Sequence, residues 1–183
     1  DRFLAAIRAS DFENLDLLPA NMTFRDFDIF LSRMRNSRSR LKQALQNVNS
    51  DYDVVILDCP PNLSLLSESI FKCADHIIVP VIPTTLSERT FEQLLSFFQE
   101  HHYKPSKLLP FFSMVQKQKN LHVDTINRLN KQHKSFLKTQ IPFATDIEKM
   151  GIHRAPVGSY AGSKPASKAY RELWKEISKK VKL

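Results

Sequence analysis

The stretch Asp51–Ile70, "DYDVVILDCPPNLSLLSESI", decides how the chain is read. Val54-Val55-Ile56-Leu57 is apolar without alternation, which predicts a strand over 51–59 covered on both faces, as in a parallel sheet between helix layers. Asp58 then stands at the carboxyl end of that strand, the edge at which open α/β folds bind ligands. Pro60 and Pro61 stop the ladder, because neither has a backbone N–H to donate. Asn62 follows as a helix cap, ahead of Leu63, Leu66, Ile70 and Cys73 or Ala74 on one face. Asp58 is therefore either the polar end of a buried strand or a carboxylate delivered to a bound magnesium ion.

Further along, His76–Pro83 and Lys107–Val115 repeat the same non-alternating pattern, so both are expected as strands buried on two faces. Between them, Thr85 and Glu88 have capping-box spacing before a helix with Phe91, Leu94, Leu95 and Phe98 on its apolar face. A polar helix through about His133, a strand near Phe136–Ile141, a short turn capped by Thr145 and Glu148, and a long helix opening on Ser163-Lys-Pro165 complete the C-terminal side. Upstream, 1–10 reads as the tail of a helix with Phe3, Leu4 and Ile7 on one face. A short strand near Leu15–Leu18 follows. Asn21 or Thr23 caps a helix through Phe24, Phe27, Leu31 and Met34, and a further helix carries Leu41, Leu45 and Val48. Strands alternating with helices at this spacing predict a single three-layer α/β/α domain over 1–183 with a mostly parallel sheet.

The composition, 42% hydrophobic and 25% charged, is that of a folded globular domain. Cys59 and Cys73 are too few for a disulfide framework and neither belongs to a CxxC pair, which argues for a reduced, cytosolic setting. Cys59 reads as a small buried residue, with no histidine near it in the chain to activate a thiolate. No apolar run reaches the roughly 18 residues of a membrane span. The charge is uneven. Residues 1–99 carry 10 Lys/Arg against 13 Asp/Glu, and residues 100–183 carry 17 against 6, so the whole excess of +8 lies on the C-terminal side. A one-sided positive field favours a polyanion such as nucleic acid or an acidic membrane surface.

"YDVVILDCPPNLSLLSESIFKCADHIIVPVIPTTLSERTFEQL" resembles the middle of the ParA family of plasmid and chromosome partitioning ATPases, deviant P-loop proteins related to MinD and nitrogenase iron protein. "ENLDLLPAN", "FFSMVQKQKNLH", "IPFATDIEKM", "APVGSY" and "SKPASKAYRELWKEI" extend the likeness in order over nearly the whole chain. The resemblance implies a P-loop NTPase-like fold with ATP and Mg²⁺ as cofactors, and makes Asp58 the Walker B acid. A carboxylate there holds a water of the magnesium shell, because Mg²⁺ keeps several waters and takes few protein ligands directly. It implies that Ser113, Met114, Pro142 and Phe143 approach the adenine. It also implies a nucleotide-dependent homodimer, nonspecific DNA and a centromere-binding adaptor protein as partners, and a cytoplasmic, nucleoid-associated location.

Two family segments do not occur in this chain: the KGGxGK[ST] loop and the DxDxQ-like strand beyond it. That loop supplies phosphate-binding N–H groups, a lysine and a Mg²⁺-binding hydroxyl. The chain contains no glycine before Gly151, so the expectation is the C-terminal portion of a partition ATPase, lacking its P-loop and unable to hydrolyse ATP as given. In the last helix, Ala166, Ala169, Tyr170, Leu173, Trp174, Ile177 and Val181 form an apolar stripe. Lys168, Arg171, Lys175 and Lys179 line the outer side and are candidate contacts to DNA phosphates, which give affinity without sequence reading. The alternatives are a non-catalytic basic module that binds DNA or a protein, and a MinD-like positioning ATPase whose basic helix lies on a membrane. The membrane reading ranks below DNA, because the aromatic residues occur early in a helix expected to pack on the core.

Overall fold

The structure, a computed structural model, describes residues 4–20, 27–59 and 62–183. They fall into two compact units, 1–74 and 75–183.

The second unit carries the sheet. Strands β3 (Ile77–Val81) and β4 (Leu108–Phe112) pair in parallel, with Ile77 opposite Leu108 and Val81 opposite Phe112. Parallel strands need a crossover, and α4 (Thr85–Glu100) supplies it. Alternation along β4 then assigns the layers. Phe112 packs with Val81, Phe91, Ile126, Leu129 and Phe136, under α4 and α5 (Asn120–Gln132). Leu109 and Phe111 point the other way, onto Leu137, Ile141, Leu173 and Ile177, under α9 (Pro165–Val181). This is the expected α/β/α layering. Short helices α6 (Thr145–Glu148), α7 (Met150–His153) and α8 (Val157–Tyr160) lead into α9, around Val157, Ala161 and Ala166.

The expected strand at 136–141 is reduced to a few bonds, and the sequence explains why. Leu137 N–H donates to Pro110 O and Ile141 N–H to Phe112 O, so the segment does run beside β4. Pro110 has no N–H to return. The amides of Lys138 and Thr139 turn instead to the Glu176 carboxylate on α9, at 2.8 and 2.9 Å, and the Thr139 hydroxyl adds a third bond at 2.8 Å. Regular pairing resumes only at the parallel bridge Val115–Pro142.

In the first unit, α1 (Phe27–Ser32) and α2 (Ser37–Gln46) pack on α3 (Leu65–Cys73), burying Leu31, Val48, Ile70 and Phe71. The expected helix tail at 1–10 is instead a 3₁₀ turn, Leu4–Ala6, and a hairpin of β1 (Arg8–Ala9) with β2 (Asp16–Leu17). Asn14 closes it at φ 59°, a left-handed conformation that Asn tolerates. Asn21, Thr23, Phe24, Pro60, Pro61 and Phe3 lie outside the described residues.

The largest correction concerns the opening stretch. Residues 54–59 form no strand among the described residues. Val54, Val55 and Ile56 are 38, 46 and 74% exposed. A run of β-branched residues becomes a ladder only when a neighbouring strand meets its N–H and C=O groups, and no described segment does so. Cys59, expected buried, is exposed for the same reason.

Several caps shift by a residue or two. Helix α3 starts at Ser64, whose Oγ accepts from Ser67 N–H at 3.5 Å, and Asp28 of α1 accepts from Leu66 N–H at 2.9 Å. Asn62 instead gives its carbonyl to the Ser67 hydroxyl. Helix α4 is capped by Thr84, not Thr85, through Ser87 N–H at 3.4 Å. Helices α6 and α9 begin at Ala144 and Lys164 with no side-chain cap, and Pro165 fills the first position of α9. Strand β3 is covered on one face only, since Ile78 is 41% exposed. Trp174, counted in the apolar stripe of α9, is 45% exposed while Leu173 and Ile177 are buried.

Candidate functional site

The carboxyl edge of the second unit's sheet gathers two segments far apart in the chain. Strand β4 ends at Phe112, and Ser113 N–H continues the ladder by donating to Val81 O at 3.0 Å. Met114 then takes φ 54°, the left-handed region that a non-glycine side chain enters at a cost of about 1–2 kcal/mol. After that kink the bonds between the two segments run both ways. Val115 N–H donates to Ile141 O and Phe143 N–H to Val115 O, each at 3.0 Å. Ser113, Met114, Pro142 and Phe143, four residues singled out from sequence, therefore share one rim. Met114 and Phe143 are 42 and 44% exposed there, while Ser113 and Pro142 are half-buried. The rim offers a hydroxyl, a thioether and an aromatic face to solvent, the apolar and mildly polar mix that suits a flat heterocycle.

A buried polar group stands behind this rim, at a position with no signature in the sequence. His122 on α5 is 4% exposed, and its Nδ1 accepts from Gln116 N–H at 3.2 Å, which ties the loop after Met114 to the helix. Burial, and then the nearby Lys119 cation, hold this imidazole below its ordinary pKa, in the neutral form that can accept. Glu88 on α4, also buried, receives Arg128 of α5 through two bonds, Nε to Oε1 at 2.7 Å and Nη2 to Oε2 at 2.5 Å. The Arg128 hydrogen bond holds the Glu88 carboxyl below its usual range against the opposing effect of burial. Glu88 was expected to close a capping box. It locks α4 to α5, 40 residues apart in sequence.

Asp58 belongs to the first unit and is exposed, on the segment 54–59, which has no regular secondary structure. No described residue engages its carboxylate, which leaves it open to a hydrated cation. Among the described residues no group of three or more His, Cys, Asp and Glu could enclose a metal. A lone acid acting through water is what a magnesium site asks of the protein, so the residue type fits. Next to it, partial desolvation and then the Asp58 charge push the Cys59 thiol up, which disfavours a nucleophilic thiolate.

On α9, Lys168, Arg171, Lys175 and Lys179 follow helical spacing along one side, and all are exposed. They are not equally available. Arg171 donates to Ser167 Oγ and to Gly162 O, each at 2.8 Å, spending two of its five N–H groups inside the protein. Lys175 pairs with Glu172 at 2.9 Å, an exposed pair that solvent screens. Lys168 and Lys179 have no carboxylate partner among the described residues. No helix among the described residues is long and apolar enough to cross a membrane. His101 ends α4, with its ring stacked on Phe97 at 4.0 Å.

Comparisons with known proteins agree on the family. The profile of the AAA domain family matches residues 3–110. The chain is 28% identical over 177 residues to the sporulation initiation inhibitor protein Soj of Bacillus subtilis, covering 94% of this chain and 70% of that protein. It is 31% identical over 178 residues to a ParA family protein of Chlamydia muridarum, covering 93% of this chain and 69% of that protein. Among solved structures, a plasmid partition protein of Borrelia burgdorferi bound to AMPPNP superposes with a TM-score of 0.81 at 19% identity, over 96% of this chain and 69% of that one. Cobyrinic acid a,c-diamide synthase of Mycobacterium smegmatis, with a bound ATP analogue and magnesium, gives 0.72 at 25% identity, over 92% of this chain and 64% of that one. The fold is thus the α/β fold of P-loop NTPases, and the chain belongs to the ParA family of P-loop ATPases.

Proposed function

We propose that the chain is the larger part of a single ParA-like ATPase domain that segregates DNA, binding ATP with magnesium and holding DNA without regard to sequence. The observation that carries the nucleotide half is the shared rim: residues 113–114 and 142–143 lie together across the Val115–Pro142 bridge. In this reading Phe143 and Met114 flank the adenine, Ser113 offers it a hydrogen bond, and Pro142 fixes the turn. Asp58 accepts a hydrogen bond from a water of the magnesium shell. The bound ion would neutralise phosphate charge. The 183 residues hold no phosphate loop, so the chain by itself binds nucleotide weakly and does not turn it over. Nucleotide-dependent pairing of two copies, a centromere-binding adaptor and a cytoplasmic, nucleoid-associated location complete the proposal.

The DNA half rests on the basic side of α9, where Lys168 and Lys179 are free of carboxylates and Lys175 and Arg171 contribute in part. A non-catalytic basic module is the second reading, favoured by the exposure of Val54, Val55 and Ile56 ahead of Asp58. A fluorescent ATP analogue separates the two. The first reading expects binding that Phe143→Ala weakens with or without magnesium, and that Asp58→Asn weakens only when magnesium is present. Equal binding by both variants and the parent chain would overturn the nucleotide site and leave the basic module. Duplex binding that is lost with added salt, and reduced in Lys168→Ala/Lys179→Ala, tests the DNA half in either case.

A further inference from the structure

A second concave site lies toward the other end of the same sheet. The segment 137–143 runs parallel to β4 and reaches the carboxyl rim at Phe143, so the residues just before it belong to the opposite end. There, between the C-terminal end of α5 and the entry to that segment, is a cavity of about 340 Å³. Its polar lining is Asn130, His133, Lys134, Lys138 and Gln140, over a floor that includes Phe136. Every ionisable group in this lining is basic, and no carboxylate lines it.

None of these five polar side chains spends a hydrogen bond or an ion pair on the described protein. Glu176, the nearest acid by its bonds, takes the Lys138 backbone N–H rather than its ammonium. His133 has its ring edge-on to Phe91 at 5.5 Å, which orients the imidazole without using a ring nitrogen. The carbonyls at the end of α5 contribute a partial negative charge of about half an electron. Two ammonium groups outweigh it fourfold, so the field in the cavity is positive. A cavity lined by residues with ammonium, imidazole and carboxamide donors, and by no carboxylate that would compete for them, matches an oxyanion with several acceptor oxygens.

We propose that this cavity binds a phosphate ester, with Lys134 and Lys138 on the phosphoryl oxygens and Asn130, His133 and Gln140 bonding the remaining acceptors. The cavity exceeds a phosphate ion several-fold in size, so it also admits the sugar to which the phosphate is attached. The same chemistry is offered by a free mononucleotide and by one unit of a nucleic-acid backbone. The site is separate from the carboxyl rim and from the basic side of α9, and does not depend on either reading of them.

The test uses the full chain and the surface variant Lys134→Ala/Lys138→Ala, with circular dichroism and the charge-keeping Lys134→Arg/Lys138→Arg variant as controls. Backbone amide resonances of 130–140 are followed by NMR during titration with AMP and, separately, with a short duplex. A saturable shift at those residues, present in the Arg variant and reduced at least about tenfold in affinity in the Ala variant, supports the site, whatever shifts occur elsewhere. With duplex as ligand, the Ala variant should also lower the log–log salt slope by about two, one for each lost phosphate contact. A response to AMP alone identifies a free-nucleotide site, and a response to duplex alone a backbone site. No saturable shift with either ligand, or binding unchanged in the Ala variant, overturns the proposal.

Discussion

Removing the Glu176 carboxylate should unfasten the rim without touching it. Glu176 accepts from Lys138 N–H, Thr139 N–H and the Thr139 hydroxyl, and these bonds replace the ladder that Pro110 cannot complete. Glu176→Ala leaves two backbone donors and a hydroxyl without that partner. A hydrogen bond to a charged group is worth about 1.5–3 kcal/mol when deleted. Lys138 is exposed and Thr139 half-buried, so water recovers much of this, and about 2–3 kcal/mol in total is the discounted expectation. For a chain of this size each kcal/mol moves the melting temperature by about 2–4 °C, so a drop of roughly 5–10 °C is expected.

The local consequence is more specific. Ile141 and Phe143 donate to Phe112 O and Val115 O, downstream of the clamp, so their amide hydrogen exchange should accelerate more than that of Ile77–Val81. The pH dependence carries a sign. Burial pushes the Glu176 carboxyl up, but the Lys138 and Thr139 N–H groups and the Thr139 hydroxyl outweigh it, so its pKa in the folded protein is lowered. A lowered carboxyl contributes stability above its unfolded value, about 4.3. That contribution is lost as pH falls through the folded value. The gap between the parent chain and Glu176→Gln should therefore close in acid. A melting temperature within about 2 °C of the parent, or exchange that quickens equally in β3, would refute the clamp.

His122 contributes with the opposite ionisation. Its folded pKa is lowered, so the unfolded chain binds more protons, and stability should fall as pH drops below about 6.5; His122→Gln should flatten that part of a denaturation-versus-pH profile. Arg128→Met leaves the buried Glu88 carboxyl with burial as its main influence, so its pKa should move from below to above the ordinary value. Carboxyl NMR titration reads the change directly, and an unmoved value would deny the pair its role. Met114→Gly should relieve the left-handed backbone and raise stability by about 1 kcal/mol, while weakening the fluorescent ATP analogue, a split that a purely structural Met114 would not give.

Local chemistry carried much of the second unit into view from sequence. The unbroken apolar runs at 77–81 and 108–112 became parallel strands, and the helical stripe from Ala166 to Ile177 found its layer. Ser113, Met114, Pro142 and Phe143 came together because each follows the end of a strand-like segment, and parallel segments end on the same side. What stayed hidden depends on partners 30–40 residues away. Asp28 caps α3, Arg128 meets Glu88 and Glu176 replaces part of a β-ladder, and none of these has a spacing signature. Trp174 falls on the predicted apolar stripe yet is 45% exposed, because periodicity gives the direction of a side chain but not how far the covering layer reaches.

The run Val54–Leu57 shows where such reading stops in principle. Its composition specifies a segment that would be stable between two strands, but it does not specify those strands. The free energy that makes β-branched residues favour a sheet comes from cross-strand packing and shared backbone bonds. It is a property of a pair, so one member of the pair carries only the capacity for it. Among the described residues that capacity is unmet, and Ile56 is 74% exposed where a ladder would have buried it. Asp58 inherits the consequence. A carboxylate at the end of a paired strand has a fixed position, whereas one on an unpaired segment has only a chemical identity. The magnesium dependence of nucleotide binding in Asp58→Asn is therefore the measurement that asks whether identity is enough. It distinguishes a site whose residues are all placed from one in which the rim is placed and the acid is not.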